Sequence, residues 1–484
     1  MRWRELLDLD ARQPLNGNFF AISRRVRFIG IGGIGMSGLA LLLKARGHEV
    51  SGSDASDSDA LMSLRAAGIR CDVGQSADNL GHEEAVFYSS AIPADNPEFA
   101  AARERGLPLY HRSQLLACLA NAAGVSIAVA GTHGKSTTSA MIAHILAETG
   151  HNPTALLGAV YPPFGSNVRV GDPELVVLEA DESDGSFTLT RPTVSVVLNV
   201  EPEHLENYDH REDELWRAFQ LFAENTSARL ILNADDPPVV ARLSSGTATA
   251  LTYSTRGAPS NLRAAGIAKR PGRTLFQLQP SGEIENPREY SLRVAGEHNV
   301  SNGLAAILAA GGLVPATEAA QALESFAGTL RRFEFKGEAD GVAFYDDYGH
   351  HPTEVRATLD AAREFLDRPL LVIFQPHRYS RTEQLWELFG TSRAFAAASR
   401  VIITELYSAF EEPIPGISGR LVYEAVRASL PGTDVQFAVD QNSARSLALE
   451  TIRPGDAVIT MGAGDITRLG PRLLADWKSR HHAS

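Results

Sequence analysis

Residues 129–138 read VAGTHGKSTT, with a lysine set between a glycine and a run of hydroxyl residues. The common phosphate-binding loop is G-x-x-x-x-G-K-[S/T], and Gly134, Lys135 and Ser136 match its right-hand end. The left-hand glycine is missing: position 129 is Val129, and the nearest glycine is Gly131. An apolar run, VSIAVAG, precedes the loop, and a helical pattern, TTSAMIAHILAETG, follows it. That setting exposes backbone N–H groups at a helix start beside an ammonium group, which is what a phosphate requires. Lys135 would then reach terminal phosphates and the Ser136 hydroxyl would ligate Mg²⁺. An ordinary glycine-containing turn between strand and helix has the same look, and the shortened spacing leaves both readings open on this stretch alone.

A second glycine-rich turn, FIGIGGIGMSG, holds G-x-G-x-x-G as Gly30, Gly32 and Gly35, and Asp54 ends the next apolar run. The pattern says that a diphosphate can rest on a helix N-terminus; NAD fits it as well as any other nucleotide. LEADESD (178–184) places four acids after an apolar run, with Glu179 directly behind LVVL, where a metal-binding carboxylate would face the loop. NVEPEHLENY (199–208) adds Glu201, Glu203 and His204. DDYGHHPTE (346–354) and QPHRYSRT (375–382) complete the set, and Arg378 and Arg381 suit a carboxylate or a phosphate. Taken singly, each has a plainer reading: a solvated acidic loop, a structural histidine, a surface ion pair.

Positioning these groups requires strands that end where they begin. Short β-rich runs alternate with helical patterns along most of the chain, which predicts parallel sheets with crossover helices. The 484 residues are too many for one core. Three consecutive α/β domains are expected: a Rossmann-like one over 1–122, a central P-loop-type ATPase domain over 123–327 and a Rossmann-like C-terminal one over 328–484. Residues 1–23 show no clear period, and 257–292, richer in Gly, Pro and Arg, predict a loop or a small β excursion. Lys plus Arg number 45 against 58 Asp plus Glu, a formal net charge of −13, which argues against nucleic acid or a membrane surface as partner. Cys71 and Cys118 lack metal-ligand spacing and read as two buried thiols. The first residues, MRWRELLDLD, have no apolar core of a signal peptide, and LALLL is too short to span a bilayer, so a cytoplasmic setting is expected.

Taken together the motifs resemble those of the Mur ligases. The resemblance runs in order from about Val26 to Ile466 through GIGGIGMSG, GTHGKS, EADESDGSF, GEHNVSN, RRFE, DDYGHHPTE and QPHRYSRT. The family's phosphate loop is the short G-T-x-G-K-[S/T] form, so the resemblance implies that residues 131–136 bind ATP. It implies an ATP- and Mg²⁺-dependent ligase of cell-wall peptidoglycan synthesis. IGIGGIGMSG and DESDGSF fit the branch that joins L-alanine to UDP-N-acetylmuramate, rather than the branch that recycles a murein peptide onto the same sugar. An NAD-dependent oxidoreductase would leave the phosphate loop, the acidic strand ends and the arginine pair without a task. A non-catalytic nucleotide switch would not need Lys135, Glu179, His204 and His350.

The resemblance carries roles to particular residues. Gly131, Thr132, Gly134, Lys135, Ser136 and Thr137 would hold the ATP phosphates. Ser136 and Glu179 would bind one Mg²⁺, and Glu179 with His204 a second. Asn299 and Asn302 would face adenine, Arg332 and Asp347 the ribose and phosphates, and His350 the γ-phosphate. Arg378 and Arg381 would hold the alanine carboxylate or the reacting intermediate. Gly32, Gly33 and Gly35 would cradle the UDP diphosphate, with Asp54 and Ser89 lining that site. Ser136 stands where the family more often has Thr, and EPEHLE replaces the common E-P-D-H-[L/M]-D, which lengthens the carboxylate beside His204. LYSAFEEPI (406–414), a candidate part of the amino-acid pocket, also departs from the usual pattern.

Overall fold

The computed structural model describes residues 3–481 except 23, 271, 281–287 and 410. It contains three mainly parallel sheets, each fed by helices, and the chain divides into two compact units. One unit comprises Met1–Ala265, Leu278–Pro287 and Ser301–Leu323, the other Gly266–Gln277, Arg288–Val300 and Glu324–Ser484.

The first sheet is built from β1 (Arg25–Ile29), β2 (Glu49–Asp54), β3 (Arg70–Val73), β4 (Ala85–Tyr88) and β5 (Leu109–His111), in the order β3-β2-β1-β4-β5. All its neighbours pair in parallel. The order reverses between β1 and β4, so a crevice opens beyond their C-terminal ends, where open α/β sheets bind ligands. β1 is buried on both faces and tolerates Arg27 at its centre because Glu98 and Asp72 take up the guanidinium charge.

The second sheet is built around β6 (Val125–Ala130), with β7 (Pro153–Tyr161), β8 (Ser166–Arg169), β9 (Asp172–Glu179), β10 (Val194–Val197), β11 (Arg229–Asn233), β12 (Thr249–Ser254) and β13 (Leu262–Arg270). Its order β12-β11-β10-β6-β9-β7-β8 sets β6 between β10 and β9, all parallel. β13 joins beyond β12 through Tyr253 and Ser254. The helix Lys135–Glu148 leaves β6 and is buried nearly all round, with Ala140, Met141, Ile142, Ala143, Ile145 and Leu146 wholly covered. One hydrophobic cluster runs through both sheets, from Trp3 to Ala248, which is why they form a single unit.

Residues 3–12, within the stretch that showed no period, form the helix Trp3–Arg12. Only Trp3 and Leu6 of it are buried, too few to register as a pattern. The 257–292 region, where described, is a β excursion: β13 is followed by β14 (Arg273–Pro280) and β15 (Glu289–Leu292), which pair antiparallel.

In the second unit a six-stranded sheet contains β16 (Glu334–Ala339), β17 (Val342–Asp347), β18 (Leu370–Phe374), β19 (Arg400–Thr404), β20 (Asp434–Ala438) and β21 (Ala457–Met461), ordered β16-β17-β21-β18-β19-β20. Only β16 is antiparallel to its neighbour. Alternate residues of β18 feed opposite cores: Leu370, Val372 and Phe374 one, Leu371 and Ile373 the other. Both cysteines are free; Cys118 is buried and Cys71 only partly so. Among the described residues no helix is long and apolar enough to cross a membrane.

Candidate active site

The crevice of the first sheet brings its expected residues together. Gly30 has φ +77°, and the N–H groups of Gly30 and Ile31 donate to the Ser53 carbonyl, which bends the chain off β1. Asp54, at the end of β2, accepts the Gly32 N–H at 2.8 Å and so shapes the loop from within. A Cβ on Gly32 would lie 2.8 Å from that carboxylate and 2.7 Å from Leu61, so a larger residue would displace both side chains. Gly33 caps the helix Ile34–Ala45, whose first turn includes Gly35 and presents unpaired N–H groups. Ser89 begins the turn after β4, and Ile92 of that turn packs against Gly30. Arg112, which stands outside every motif, lies against Gly35 and pairs with Asp184 at 3.1 Å.

In the second sheet the short loop is complete in its own way. Gly131 (φ +132°) and Gly134 (φ +87°) adopt backbone that side chains disfavour. Asn199, at the end of β10, accepts the His133 N–H at 2.8 Å and donates to the His133 carbonyl at 3.1 Å. The Thr132 hydroxyl accepts the Glu201 N–H at 2.8 Å. A neighbouring strand end thus supplies the bracing that a longer loop provides for itself. Lys135 begins the helix; its Nζ donates to the Gly131 and Thr132 carbonyls at 2.8 and 3.1 Å and pairs with Glu182 at 2.8 Å. Burial pulls its pKa down, but Glu182, Asp181 and Glu179 outweigh that and hold the ammonium charged. Glu182, 2% exposed, is itself pushed upward by burial, against the pull of Lys135.

Ser136 is buried on the first helical turn and Thr137 follows it half-exposed. Glu179 ends β9 and accepts the Gly158 N–H at 3.0 Å; a Cβ on Gly158 would fall 2.2 Å from that carboxylate. His204 sits in left-handed backbone (φ 56°), its ring nitrogens 3.8 Å from Glu203 and 3.7 Å from Glu206. The Asn302 amide oxygen lies 2.8 Å from where a Cβ on Gly134 would stand, which places it against the loop. Strand order, β10-β6-β9, is what sets Glu179 to one side of the loop and Glu201–His204 to the other.

The second unit gathers the remaining residues. Asn299 donates to the Ala295 carbonyl at 2.7 Å within its own turn. Asp347 ends β17, 4% exposed, and accepts the N–H groups of Phe333 and Gly349, each at 2.7 Å. Burial, partly offset by Arg332, lifts its carboxyl to about 6. The Arg331 and Arg332 guanidiniums lie 4.8 and 5.2 Å from the Tyr348 ring centroid. His350 faces the Tyr348 carbonyl through Nδ1 at 3.2 Å, and its ring stands 6.2 Å from His377. Burial lowers His350 to about 3, so it is a neutral imidazole. Arg378 caps the helix Tyr379–Thr391 with φ +68°, and Arg381 lies in that helix's first turn. His377 stacks on Tyr407, while Ser380 donates to Glu411, so the 406–414 segment does border this cluster; Phe410 lies outside the described residues. Asn199, Glu182, Tyr348 and Tyr407 lie inside the quoted stretches, but nothing in the sequence distinguishes their bracing, pairing and stacking roles from those of their neighbours.

A glycine turn on a Rossmann-like sheet, a braced phosphate loop with carboxylates on both flanks, and a third α/β sheet rich in Arg and His define a three-domain, nucleotide-using enzyme class. The chain belongs to the Mur ligase family. It matches the Mur ligase family catalytic domain over residues 25–123, the Mur ligase middle domain over 129–310, and the Mur ligase glutamate ligase domain over 331–464. It is 43% identical over 458 residues to a UDP-N-acetylmuramate–L-alanine ligase of Rubrobacter xylanophilus, covering 93% of this chain and 99% of that one. A ligase of the same name from an Anaeromyxobacter species is 41% identical over 457 residues, covering 93% and 97%. Among solved structures, UDP-N-acetylmuramate-alanine ligase from Thermotoga maritima superposes with a TM-score of 0.80 at 28% identity, covering 94% of this chain and all of that one. A murein peptide ligase from Psychrobacter arcticus gives 0.69 at 25% identity, covering 94% and 99%.

Proposed function

We infer that the protein is an ATP-dependent ligase joining L-alanine to the carboxylate of UDP-N-acetylmuramate, a step of peptidoglycan precursor synthesis in the cytoplasm. The observation that carries this is the Lys135 loop, braced from β10 and flanked by carboxylates. The curated relatives that bear this activity in their names match nearly the whole chain. The murein peptide ligase likeness rests on lower identity and a lower TM-score.

A carboxylate is a poor electrophile. Its oxygen attacks the γ-phosphorus and ADP leaves; the alanine nitrogen then attacks the acyl carbon, phosphate departs, and the ammonium proton is lost. Negative charge gathers first on the phosphoryl group and then on the tetrahedral oxyanion, so the residues must supply cations and alignment. We assign Gly131, Thr132, Gly134, Lys135, Ser136 and Thr137 to the ATP phosphates, and Asn302, which lies against the loop, to the adenine. Ser136 and Glu179 offer the hard oxygens that suit Mg²⁺, and His204 a nitrogen for a second ion; bound Mg²⁺ would neutralise phosphate charge. In the second unit Asn299, Arg332 and Asp347 are assigned to the nucleotide, His350 to the transferring phosphoryl group, and Arg378 and Arg381 to the amino-acid carboxylate. Gly32, Gly33 and Gly35, with Asp54 and Ser89, are assigned to the UDP-sugar.

A phosphate-release assay with UDP-N-acetylmuramate and a panel of amino acids tests the reading. Release should require ATP and the sugar nucleotide and be greatest with L-alanine. Lys135→Ala should abolish it while leaving UDP-sugar binding largely intact. Release driven by a murein tripeptide and not by L-alanine would replace the assignment.

A further inference from the structure

His111 ends β5, is wholly buried, and belongs to no motif in the sequence. Its ring bridges two hydroxyls: Nδ1 lies 2.6 Å from Ser113 Oγ, and Nε2 lies 3.0 Å from Ser90 Oγ. The Ser113 N–H also points at Nδ1, at 3.4 Å, because His111 caps the helix Arg112–Ala122. A backbone N–H can only donate, so Nδ1 is the acceptor and the ring proton sits on Nε2. Nε2–H therefore donates to Ser90 Oγ, and the Ser90 hydroxyl proton is left to point elsewhere. Burial lowers His111 to about 4, which keeps the ring neutral, and the capping Ser113 N–H fixes the tautomer.

Ser90 is exposed, and its turn lies on the glycine loop: Ile92 would be 3.1 Å from a Cβ on Gly30. The residue after His111, Arg112, lies 3.4 Å from where a Cβ on Gly35 would stand. The turn that carries Ser90 is thus packed on the loop's first glycine through Ile92, and a guanidinium lies beside its last. We propose that His111 is a positioning residue for the sugar-nucleotide site: it fixes the Ser90 hydroxyl as an outward donor to the diphosphate. This rests on the assignment of the Gly30–Gly35 loop to that diphosphate.

Calorimetry on the full chain, with UDP as probe and uridine as its diphosphate-free counterpart, tests it. Ser90→Ala should weaken UDP binding about tenfold, the scale of one hydrogen bond to a charged acceptor, and leave uridine unchanged. His111→Ala should match that loss, and the double variant should be no weaker than either single. His111→Gln, whose amide nitrogen reaches the Nε2 position, should restore affinity, and His111→Asn should not. In turnover the KM for UDP-N-acetylmuramate should rise while kcat and the KM for ATP stay put, which a merely misfolded site would not give. Unchanged UDP affinity in Ser90→Ala, or additive losses in the double variant, would overturn the role. Ile34→Glu separates the two readings, because Ile34 is 55% exposed at the helix start and a carboxylate there repels a diphosphate. If Ile34→Glu weakens UDP and Ser90→Ala does not, the loop assignment stands and the His111 role falls. If neither does, both fall.

Discussion

Asp347 illustrates what burial does to a single group. Its two oxygens are held by backbone N–H groups, yet desolvation still raises its pKa from 3.8 to about 6. A carboxyl whose folded pKa lies above its unfolded one binds its proton more tightly in the folded chain. Its contribution to stability is therefore fully present below about pH 4 and is lost as pH rises through about 6. The unfolding free energy of the wild type minus that of Asp347→Asn should fall across this window, by up to ~3 kcal/mol. Denaturant titrations of both proteins between pH 4 and 7 measure it; a difference that grew with pH would reverse the sign of the effect. The Asp347 carboxylate was legible in the sequence because it ends an apolar run. Its pKa was not, since that depends on Phe333 and Arg332 folding over it.

At the scale of elements, the β18-to-helix turn holds Arg378 at φ +68° and ψ +143°, a region side-chain-bearing residues rarely adopt. Its N–H donates to the Tyr407 carbonyl at 2.7 Å, and its carbonyl accepts from Thr382, which together maintain the conformation. Arg378→Gly and Arg378→Ala both delete the guanidinium, but only glycine relieves the backbone. The glycine variant should be the more stable by ~1 kcal/mol in thermal unfolding, while both lose most activity. Equal stability would mean the turn is unstrained. Most strands could be read from the sequence, because runs such as VSIAVA and LLVIF are buried on both faces and therefore continuously apolar. Their order could not. That β6 lies between β10 and β9 is a property of the whole sheet, and it is what makes Asn199 a brace and Glu182 a partner of Lys135.

For the whole molecule, the two units have unequal internal economies. The first two sheets share one large core, and the first has a small second one around Ile29, Leu80, Val86 and Ala102. The third sheet has two cores, one per face, whose buried members all fall within residues 342–477. We therefore propose that the longest segment of the second unit, which starts at Glu324, folds without the shorter pieces 266–277 and 288–300 that also belong to the unit. A fragment of residues 324–484 should fold by itself, with cooperative unfolding and native-like α/β circular dichroism. A broad, non-cooperative transition would show that the third sheet needs the rest of the chain.

The resting partner of Lys135 has a thermodynamic consequence. If the nucleotide draws the ammonium away, Glu182 loses its counter-charge while remaining 2% exposed, and its carboxyl becomes a stronger proton acceptor. Nucleotide binding should then carry protons in from the buffer near neutral pH. Binding enthalpies measured in buffers of different ionisation heat should differ in proportion to the protons taken up, and Glu182→Gln should remove that dependence. The enzyme would draw on the acidity of its surroundings each time it loads, so loading would tighten as the medium turned mildly acidic, until phosphate protonation reversed the trend.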